Sequence, residues 1–169
     1  MSLDRLTVLI HEDELSASFD EEQLDLIYMK FTEDFINSPF EVNGKLVKIY
    51  TQKSRIKQYS KYCESFVHII SREYASSDGR IYICDRANRV HWIKTILLSH
   101  PCKDIYYYKW LDDKGVCKEH FWYFNKNFMV VLKDIGANVQ IVTAFCVDPD
   151  EKLKYYERYT DYRDGNGTC

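Results

Sequence analysis

The strongest constraint on the fold is a run of four stretches rich in aromatic and β-branched residues in the second half of the chain. They cover residues 105–110, 119–124, 128–133 and 139–147, and turns rich in Asp, Asn, Lys and Gly separate them. Short alternating stretches bounded by such turns are typical of β-strands, and tight turns join antiparallel neighbours. The pattern therefore predicts a four-stranded antiparallel meander.

Helical patterns precede the meander. Within residues 20–36 apolar side chains recur at spacings of three and four, and Ser18 or Asp20 is placed to cap the helix. Similar signals predict helices over 58–74, 86–98 and 150–159, a hairpin at Asn43-Gly44 and a short strand over 80–84. Helices followed by an antiparallel sheet predict an α+β fold, with N-terminal helices packed on a curved four-stranded antiparallel β-meander.

The formal charge of −3 hides a strong asymmetry along the chain. Residues 1–44 carry −9, residues 45–133 carry +9 and residues 134–169 carry −3. A basic middle favours contact with a polyanion such as nucleic acid. Two alternatives stay open: a solvated basic face balanced by the acidic segment, or an acidic segment that lies over the basic face and competes with a nucleic acid. The predicted organisation is an acidic helical extension over 1–44, an α+β domain over 45–160 and a flexible tail over 161–169.

Several protein classes lack their signatures here. GxGxxG, GxxxxGK[ST], HExxH and GxSxG are all absent, which argues against dinucleotide enzymes, P-loop NTPases, zincins and α/β-hydrolases. The six cysteines form no CxxC pair, so we expect no metal site, no cofactor and reduced thiols. No apolar run approaches the roughly 20 residues of a membrane span, and the N-terminus has no secretory pattern. We therefore expect a cytoplasmic protein without a membrane partner.

Cationic and imidazole side chains on two predicted helices are the first candidate site. His68 and Arg72 lie four residues apart, and Arg86 and Arg89 lie three apart, so each pair can face one way on its helix. Cleavage of RNA by attack of the 2′-hydroxyl needs a base, a cation and an acid, which these side-chain types can supply. The alternative is a packed histidine with arginines paired to nearby carboxylates.

The predicted meander is the second candidate. Its aromatic side chains could stack on bases, with Lys109, Lys118, His120 and Tyr123 as RNA contacts. Thr143, expected on the same face as Ile141 and Phe145, could present a hydroxyl to the scissile phosphate. The alternatives are a sheet whose aromatics form a core and a half-exposed surface, and a threonine that only packs.

Four segments within residues 62–148 follow one another in a set order. They are Phe66-Val-His68-Ile-Ile-Ser-Arg72-Glu73, Asp85-Arg86-Ala-Asn-Arg89-Val-His-Trp92-Ile93, the aromatic meander ending in Val130-Val-Leu132, and Ile141-Val-Thr143-Ala144-Phe145. In this order the segments resemble a phage- and prophage-associated branch of the Barnase–EndoU–colicin–RelE (BECR) nuclease superfamily.

The resemblance implies helices on a curved antiparallel sheet and metal-independent RNA cleavage, as in bacterial toxins. It implies His68 as base, Arg72 as phosphate ligand, Arg86 or Arg89 as a further cation and Thr143 as a phosphate-facing hydroxyl. We therefore expect an endoribonuclease of toxin or prophage type that acts on RNA and has an inhibitor protein as a partner. The alternative is a non-catalytic RNA- or protein-binding module on the same fold.

Overall fold

The computed structural model describes residues 2–73 and 79–169, and it confirms the α+β class. Five α-helices occur in the described residues: α1 Glu21–Phe31, α2 Glu64–Ile70, α3 Cys84–Ala87, α4 Trp92–Ser99 and α5 Lys152–Arg163. The strands are β1 Glu41–Val42, β2 Lys45–Val47, β3 Ser71–Glu73, β4 Arg80–Tyr82, β5 Ile105–Leu111, β6 Cys117–Tyr123, β7 Phe128–Asp134 and β8 Asn138–Cys146. None of the helices in the described part of the chain has the length and apolar character needed to cross a membrane.

The chain divides into two compact units. One, the helical unit, consists of Met1–Phe40 and Ile49–Lys94; the other, the sheet unit, consists of Glu41–Lys48 and Thr95–Cys169. The charge pattern of the sequence predicts a boundary at residue 44. In the structure the hairpin that follows residue 40 belongs to the sheet unit, and the residues before that hairpin belong to the helical unit together with residues 49–94.

The acidic N-terminal segment contributes to the core of the helical unit. Asp20 caps α1 by accepting a hydrogen bond from the Gln23 amide at 3.0 Å. Phe31 of α1 is fully buried, and its ring lies 5.3 Å from that of Phe66 in α2. On the outer side, Asp25 pairs with Lys61 at 2.6 Å. The exposed carboxylates of α1 therefore neutralise part of the positive charge of residues 45–133. The buried side of the same helix packs in the core.

Helix α2 is shorter than the sequence predicts. A helix was expected over 58–74, of which residue 74 lies outside the described residues, but α2 ends at Ile70 and the chain continues as β3. The Ser71 hydroxyl bonds the Val67 carbonyl, and Arg80 Nη2 reaches the carbonyls of His68 and Ser71 at 3.3 and 3.1 Å. These bonds satisfy carbonyls at the helix end, and pairing with β4 then holds the chain extended.

The helix predicted over 86–98 is interrupted. It is split into α3 and α4 at Asn88, which is fully buried. In an unbroken helix the Trp92 amide would donate to the Asn88 carbonyl, but it donates to the Arg89 carbonyl instead. Asn88 bonds the N-terminal segment: its carbonyl accepts from the Leu9 amide at 3.2 Å. Its Oδ1 accepts from the Ile10 amide at 2.7 Å, and its Nδ2 donates to the Ile10 carbonyl at 2.8 Å. A side-chain amide that pairs in this way satisfies a stretch of buried backbone as a neighbouring strand would.

The sheet is larger than predicted and is mixed rather than antiparallel throughout. Strands β5 to β8 do form consecutive antiparallel neighbours, but the full order is β1-β2-β8-β7-β6-β5. The Asn43-Gly44 turn, with positive φ at both residues, makes the expected hairpin. Its second strand then pairs with β8 in parallel, with Val47 opposite Val139. The edge of β8 that does not face β7 is therefore paired with β2, and β2 is paired in turn with β1. Both added strands come from a distant part of the sequence.

Helix α5 and the C-terminal residues pack on the sheet unit. The ring of Tyr159 stacks on that of Tyr106 at 4.4 Å. Residues 161–169, expected to be a flexible tail, are tied down: the Leu111 amide donates to Thr168 Oγ1 at 2.8 Å, and Cys169 forms a disulfide with Cys117. The prediction that all six cysteines are reduced is therefore wrong, because the fold brings these two together from 52 residues apart.

Candidate functional site

The side chains singled out from the sequence are spread over both units. His68, Arg72, Arg86 and Arg89 belong to the helical unit, whereas Lys109, Lys118, His120, Tyr123 and Thr143 belong to the sheet unit. Each unit contains a pocket: His68 lines the pocket of the helical unit, and Lys118, His120 and Thr143 line the pocket of the sheet unit.

The pocket of the helical unit, here the helix pocket, has a volume of about 220 Å3. Glu64 and His68 line it from successive turns of α2, because residues four apart lie on the same side of a helix. The Gln52 amide holds Glu64 through a 2.9 Å hydrogen bond to Oε2. The other lining residues are Ser54, Arg55, Ile56, Val67 and Arg80. The helix pocket therefore combines a carboxylate, an imidazole and two guanidinium groups.

Arg80 is the anchored cation of the helix pocket. Its side chain is 14% exposed, and its Nε donates to Ser71 Oγ at 2.7 Å. Its Nη1 lies 3.5 Å from a carboxylate oxygen of Glu73, whose side chain is 86% exposed. Burial lowers the pKa of Arg80, although the guanidinium stays charged at any physiological pH. Arg55, in contrast, is exposed and reaches the pocket from a loop.

Arg86 lies beside Arg80, whereas Arg72 lies on the other side of the β3–β4 hairpin. Arg86 Nη1 donates to the Ser71 carbonyl at 3.4 Å, the same oxygen that Arg80 uses. Arg72 pairs with Ile81, so its side chain shares a face with Ile81 and not with its neighbours in the strand. The expectation that His68 and Arg72 face one way on a helix is therefore wrong, because α2 ends between them.

Arg89 is held near its own helix. It follows α3, and its Nη1 donates to the Asp85 carbonyl at 3.0 Å and lies 3.6 Å from the Asp85 carboxylate. The guanidinium also lies over the Trp92 ring, 5.3 Å from its centroid. With 17% of its side chain exposed, Arg89 has local partners for its charge.

In the sheet unit, α5 covers the face that carries most of the predicted base-stacking aromatics. Tyr106, Tyr108 and Trp110 of β5 share this face, as alternation predicts. Tyr108 is fully buried, and Arg158 of α5 lies over the Trp110 ring at 5.2 Å. The helix therefore occupies much of the surface on which bases were expected to stack.

A pocket of about 250 Å3, here the sheet pocket, lies at one end of this covered face. Three of the predicted site residues, Lys118, His120 and Thr143, line it together. Further lining residues are Trp110, Leu111, Asp112, Asp113, Val131, Val142, Phe145, Tyr155 and Arg158. Sequence reasoning missed Arg158, which comes from the helix that closes the pocket.

A β-bulge determines which way Thr143 points. Thr143 pairs with Val131, but the next partner along β7, Leu132, pairs with Ile141, so the register shifts by one residue. Val131 and Leu132 point to opposite faces, and their partners follow them. Thr143 and Ile141 therefore lie on opposite faces, not on the same face as the uninterrupted alternation predicts.

The charges of the sheet pocket are partly compensated. Lys118 Nζ lies 2.6 Å from Asp112, and this hydrogen bond is the main reason why the pKa of Asp112 is lowered to about 2. His120 is 8% exposed and its ring stacks on Tyr108 at 4.4 Å. Burial, with smaller contributions from the charges of Arg158 and Lys118, lowers the pKa of His120 to about 4. The imidazole is therefore neutral at pH 7.

The remaining RNA-contact candidates lie elsewhere in the sheet. Lys109 is opposite Glu119 on the face away from α5. Tyr123, at the end of β6, is 2% exposed, so its ring packs in the interior and offers no face to a ligand. Within residues 2–73 and 79–169, no three His, Cys, Asp or Glu side chains group closely enough to hold a metal ion.

The sequence contains one usable signal for the helix pocket that its analysis missed. Glu64 and His68 have the i, i+4 spacing that places both on one side of α2. Arg55 and Arg80 have no such signal, because only the folded loop and hairpin bring them to the same pocket.

Comparisons with known proteins yield no relative of this chain: no family model, no curated protein and no solved structure matches it.

Proposed function

We propose that this protein is a metal-independent endoribonuclease of toxin or prophage type whose catalytic groups line the helix pocket. The observation that carries the proposal is the convergence of Glu64, His68, Arg55 and Arg80 on one pocket of about 220 Å3. A carboxylate, an imidazole and guanidinium groups are the side chains that cleavage by 2′-hydroxyl attack requires.

The chemistry assigns complementary roles to the two residues of α2. The Glu64 carboxylate takes the proton of the 2′-hydroxyl, whose oxygen then forms a bond to phosphorus. The bond from phosphorus to the 5′-oxygen breaks, and the His68 imidazolium donates the proton that the leaving oxygen needs. The products are a 2′,3′-cyclic phosphate and a free 5′-hydroxyl. His68 thus acts as the acid, and the base role expected for it passes to Glu64.

The arginines stabilise the charge that develops on the phosphoryl oxygens. Arg80 is fixed by its bonds to Ser71 and so presents a preorganised cation, which is more effective than one that must reorient during the reaction. Arg55 is exposed and adds a second charge from the loop side. Arg86 donates to the Ser71 carbonyl as Arg80 does, so it adds a further positive charge beside Arg80.

Purified variants and a fluorescent RNA substrate test the proposal. Glu64→Gln and His68→Ala should each lower cleavage by about 10²- to 10⁴-fold, the usual contribution of a general acid or base. The matched controls are Glu22→Gln, on the exposed start of α1, and His11→Ala, whose side chain is 73% exposed. Cleavage should persist in EDTA and should leave cyclic phosphate ends. Equal activity of Glu64→Gln, His68→Ala and their controls would refute the site.

A second comparison separates the helix pocket from the arrangement expected from the sequence. Arg55→Met should reduce cleavage at least about tenfold by removing a charge from the phosphate, whereas Arg72→Met should leave it within a few fold. Both arginines are exposed, so neither substitution threatens the core. The reverse order would contradict the placement. Expression that arrests the growth of a bacterial host, and no longer does so for His68→Ala, would support the toxin role. Tight RNA binding without cleavage would support the non-catalytic alternative.

A further inference from the structure

The sheet pocket contains a guanidinium whose charge no carboxylate compensates directly. Arg158 lies between two rings, 5.2 Å from the centroid of Trp110 and 5.8 Å from that of Tyr155. In residues 2–73 and 79–169, no Asp or Glu oxygen comes within 4.0 Å of it. Stacking on aromatic rings fixes the plane of a guanidinium while leaving its N–H groups available to an anion.

The other polar side chains of the pocket are of two kinds. Lys118 is paired with Asp112 at 2.6 Å, and Asp113 lies next to Asp112 in the chain. Thr143 of β8 and the neutral His120 ring of β6 carry no charge and lie on either side of Val131. Tyr108, which stacks on His120, is fully buried, and its hydroxyl has no hydrogen-bond partner in the described part of the chain. Arg158 and His120 line the same pocket, from α5 and β6 respectively. Buried hydroxyl and imidazole groups donate and accept hydrogen bonds, which suits the polar edge of a ring.

The size and walls of the pocket limit what enters it. Its volume of about 250 Å3 lies just below the roughly 300 Å3 at which pockets for drug-sized ligands begin. Phe145 and Val142 add apolar surface to the rings of Trp110 and Tyr155. The pocket thus suits one planar ring system with an anionic group.

We propose that the sheet pocket binds a nucleotide unit, with its phosphate on Arg158 and its base against the apolar side chains of Val142 and Phe145, beside Thr143. The unit is either a free mononucleotide or the phosphorylated end of an RNA. The proposal does not depend on the proposed cleavage, because all of its residues belong to the sheet unit.

Calorimetric titration of the protein with AMP, GMP, CMP and UMP tests this proposal. At least one should bind saturably, and adenosine, guanosine, cytidine and uridine should bind at least about tenfold more weakly, because the nucleosides lack the phosphate that Arg158 would hold. Arg158→Met should weaken binding by a similar factor, and Arg158→Lys should keep part of it. Arg163→Met is the matched control, because Arg163 also lies on α5 and over a tyrosine ring but is paired with Asp164.

Three results would overturn the proposal: no saturable binding of any mononucleotide, equal affinity of Arg158→Met and the wild type, or binding that Arg55→Met abolishes. The last would place the nucleotide in the helix pocket instead. Circular dichroism confirms that each variant is folded.

Short oligonucleotides with and without a 5′-phosphate identify the source of the ligand. Preference for the mononucleotide indicates a free nucleotide, and preference for the phosphorylated oligonucleotide indicates an RNA end.

Discussion

The disulfide between Cys117 and Cys169 makes a quantitative prediction about the stability of the sheet unit. It closes a loop of 52 residues, from the start of β6 to the last residue of the chain. The chain-entropy model gives a stabilisation of about 4 kcal/mol for a loop of this length at 25 °C. Cys169→Ser should lower the free energy of unfolding by up to that amount, which corresponds to a melting temperature lower on the order of 10 °C.

Guanidinium chloride unfolding, followed by tryptophan fluorescence with and without dithiothreitol, measures the effect. Trp110 and Trp122 both lie in the sheet unit and report on its unfolding. Dithiothreitol should lower the unfolding midpoint of the wild type to that of Cys169→Ser and leave the variant unchanged. Cys102→Ser is the matched control, since its thiol takes no part in the disulfide.

Three outcomes would refute the reasoning. Mass spectrometry of the oxidised protein that finds no peptide linking Cys117 to Cys169 would remove the crosslink itself. If the link is found and the midpoint still does not depend on dithiothreitol, the disulfide does not restrict the unfolded chain as the loop model requires. A midpoint of Cys102→Ser that falls as far as that of Cys169→Ser would assign the loss to the thiols in general.

Three further predictions concern single side chains. Burial holds the pKa of His120 at about 4 in the folded protein, against 6.5 in the unfolded chain. The free energy of unfolding should therefore fall by about 3 kcal/mol as the pH drops from 6.5 to 4. In His120→Asn, urea unfolding should show a free energy of unfolding that depends less on pH over this range. The hydrogen bond from Lys118 lowers the pKa of Asp112 to about 2, so its stabilisation is complete above pH 3.8 and is lost as the pH falls towards 2; in Asp112→Asn this acid-dependent loss should disappear. Asn88→Ala should destabilise the helical unit by roughly 2–4 kcal/mol, because it leaves the buried amide and carbonyl of Ile10 without partners, and hydrogen exchange at the Ile10 amide should accelerate.

The parts of the fold that were predicted correctly depend on signals within a few neighbouring residues. Asn43-Gly44 gave the hairpin because both residues readily adopt positive φ, and Asp20 gave the start of α1 because its carboxylate can accept a backbone N–H. Runs of aromatic and β-branched residues gave β5 to β8 because such side chains pack well on a sheet, even though β7 is buried on both faces from Phe128 to Leu132. The partner of β8 was not predictable in this way, because parallel pairing with β2 joins segments about ninety residues apart.

The predictions about the site are wrong where a tertiary contact changes the helical or strand periodicity expected from the local sequence. His68 and Arg72 satisfy the helical spacing, yet the Ser71 hydroxyl and Arg80 satisfy the carbonyls at the end of α2, and strand pairing turns Arg72 away. Thr143 satisfies strand alternation, yet one extra residue in β8 reverses its side relative to Ile141.

Both errors have the same consequence for chemistry. In each pocket an arginine from another element supplies a charge that was not expected from the sequence: Arg80 of β4 takes the place of Arg72 in the helix pocket, and Arg158 of α5 joins Thr143 in the sheet pocket. A guanidinium on a long side chain reaches a pocket from many backbone positions, so spacing along the sequence constrains it poorly. An imidazole or a hydroxyl on a short side chain must start from the wall itself, which is why His68, His120 and Thr143 were found and the two arginines were not. If the arginines supply the charge of each pocket, loss of Arg80 or Arg158 should weaken anion binding more than loss of Arg72 or Arg89. Titration of the four single Arg→Met variants with inorganic phosphate would show whether their affinities follow that order.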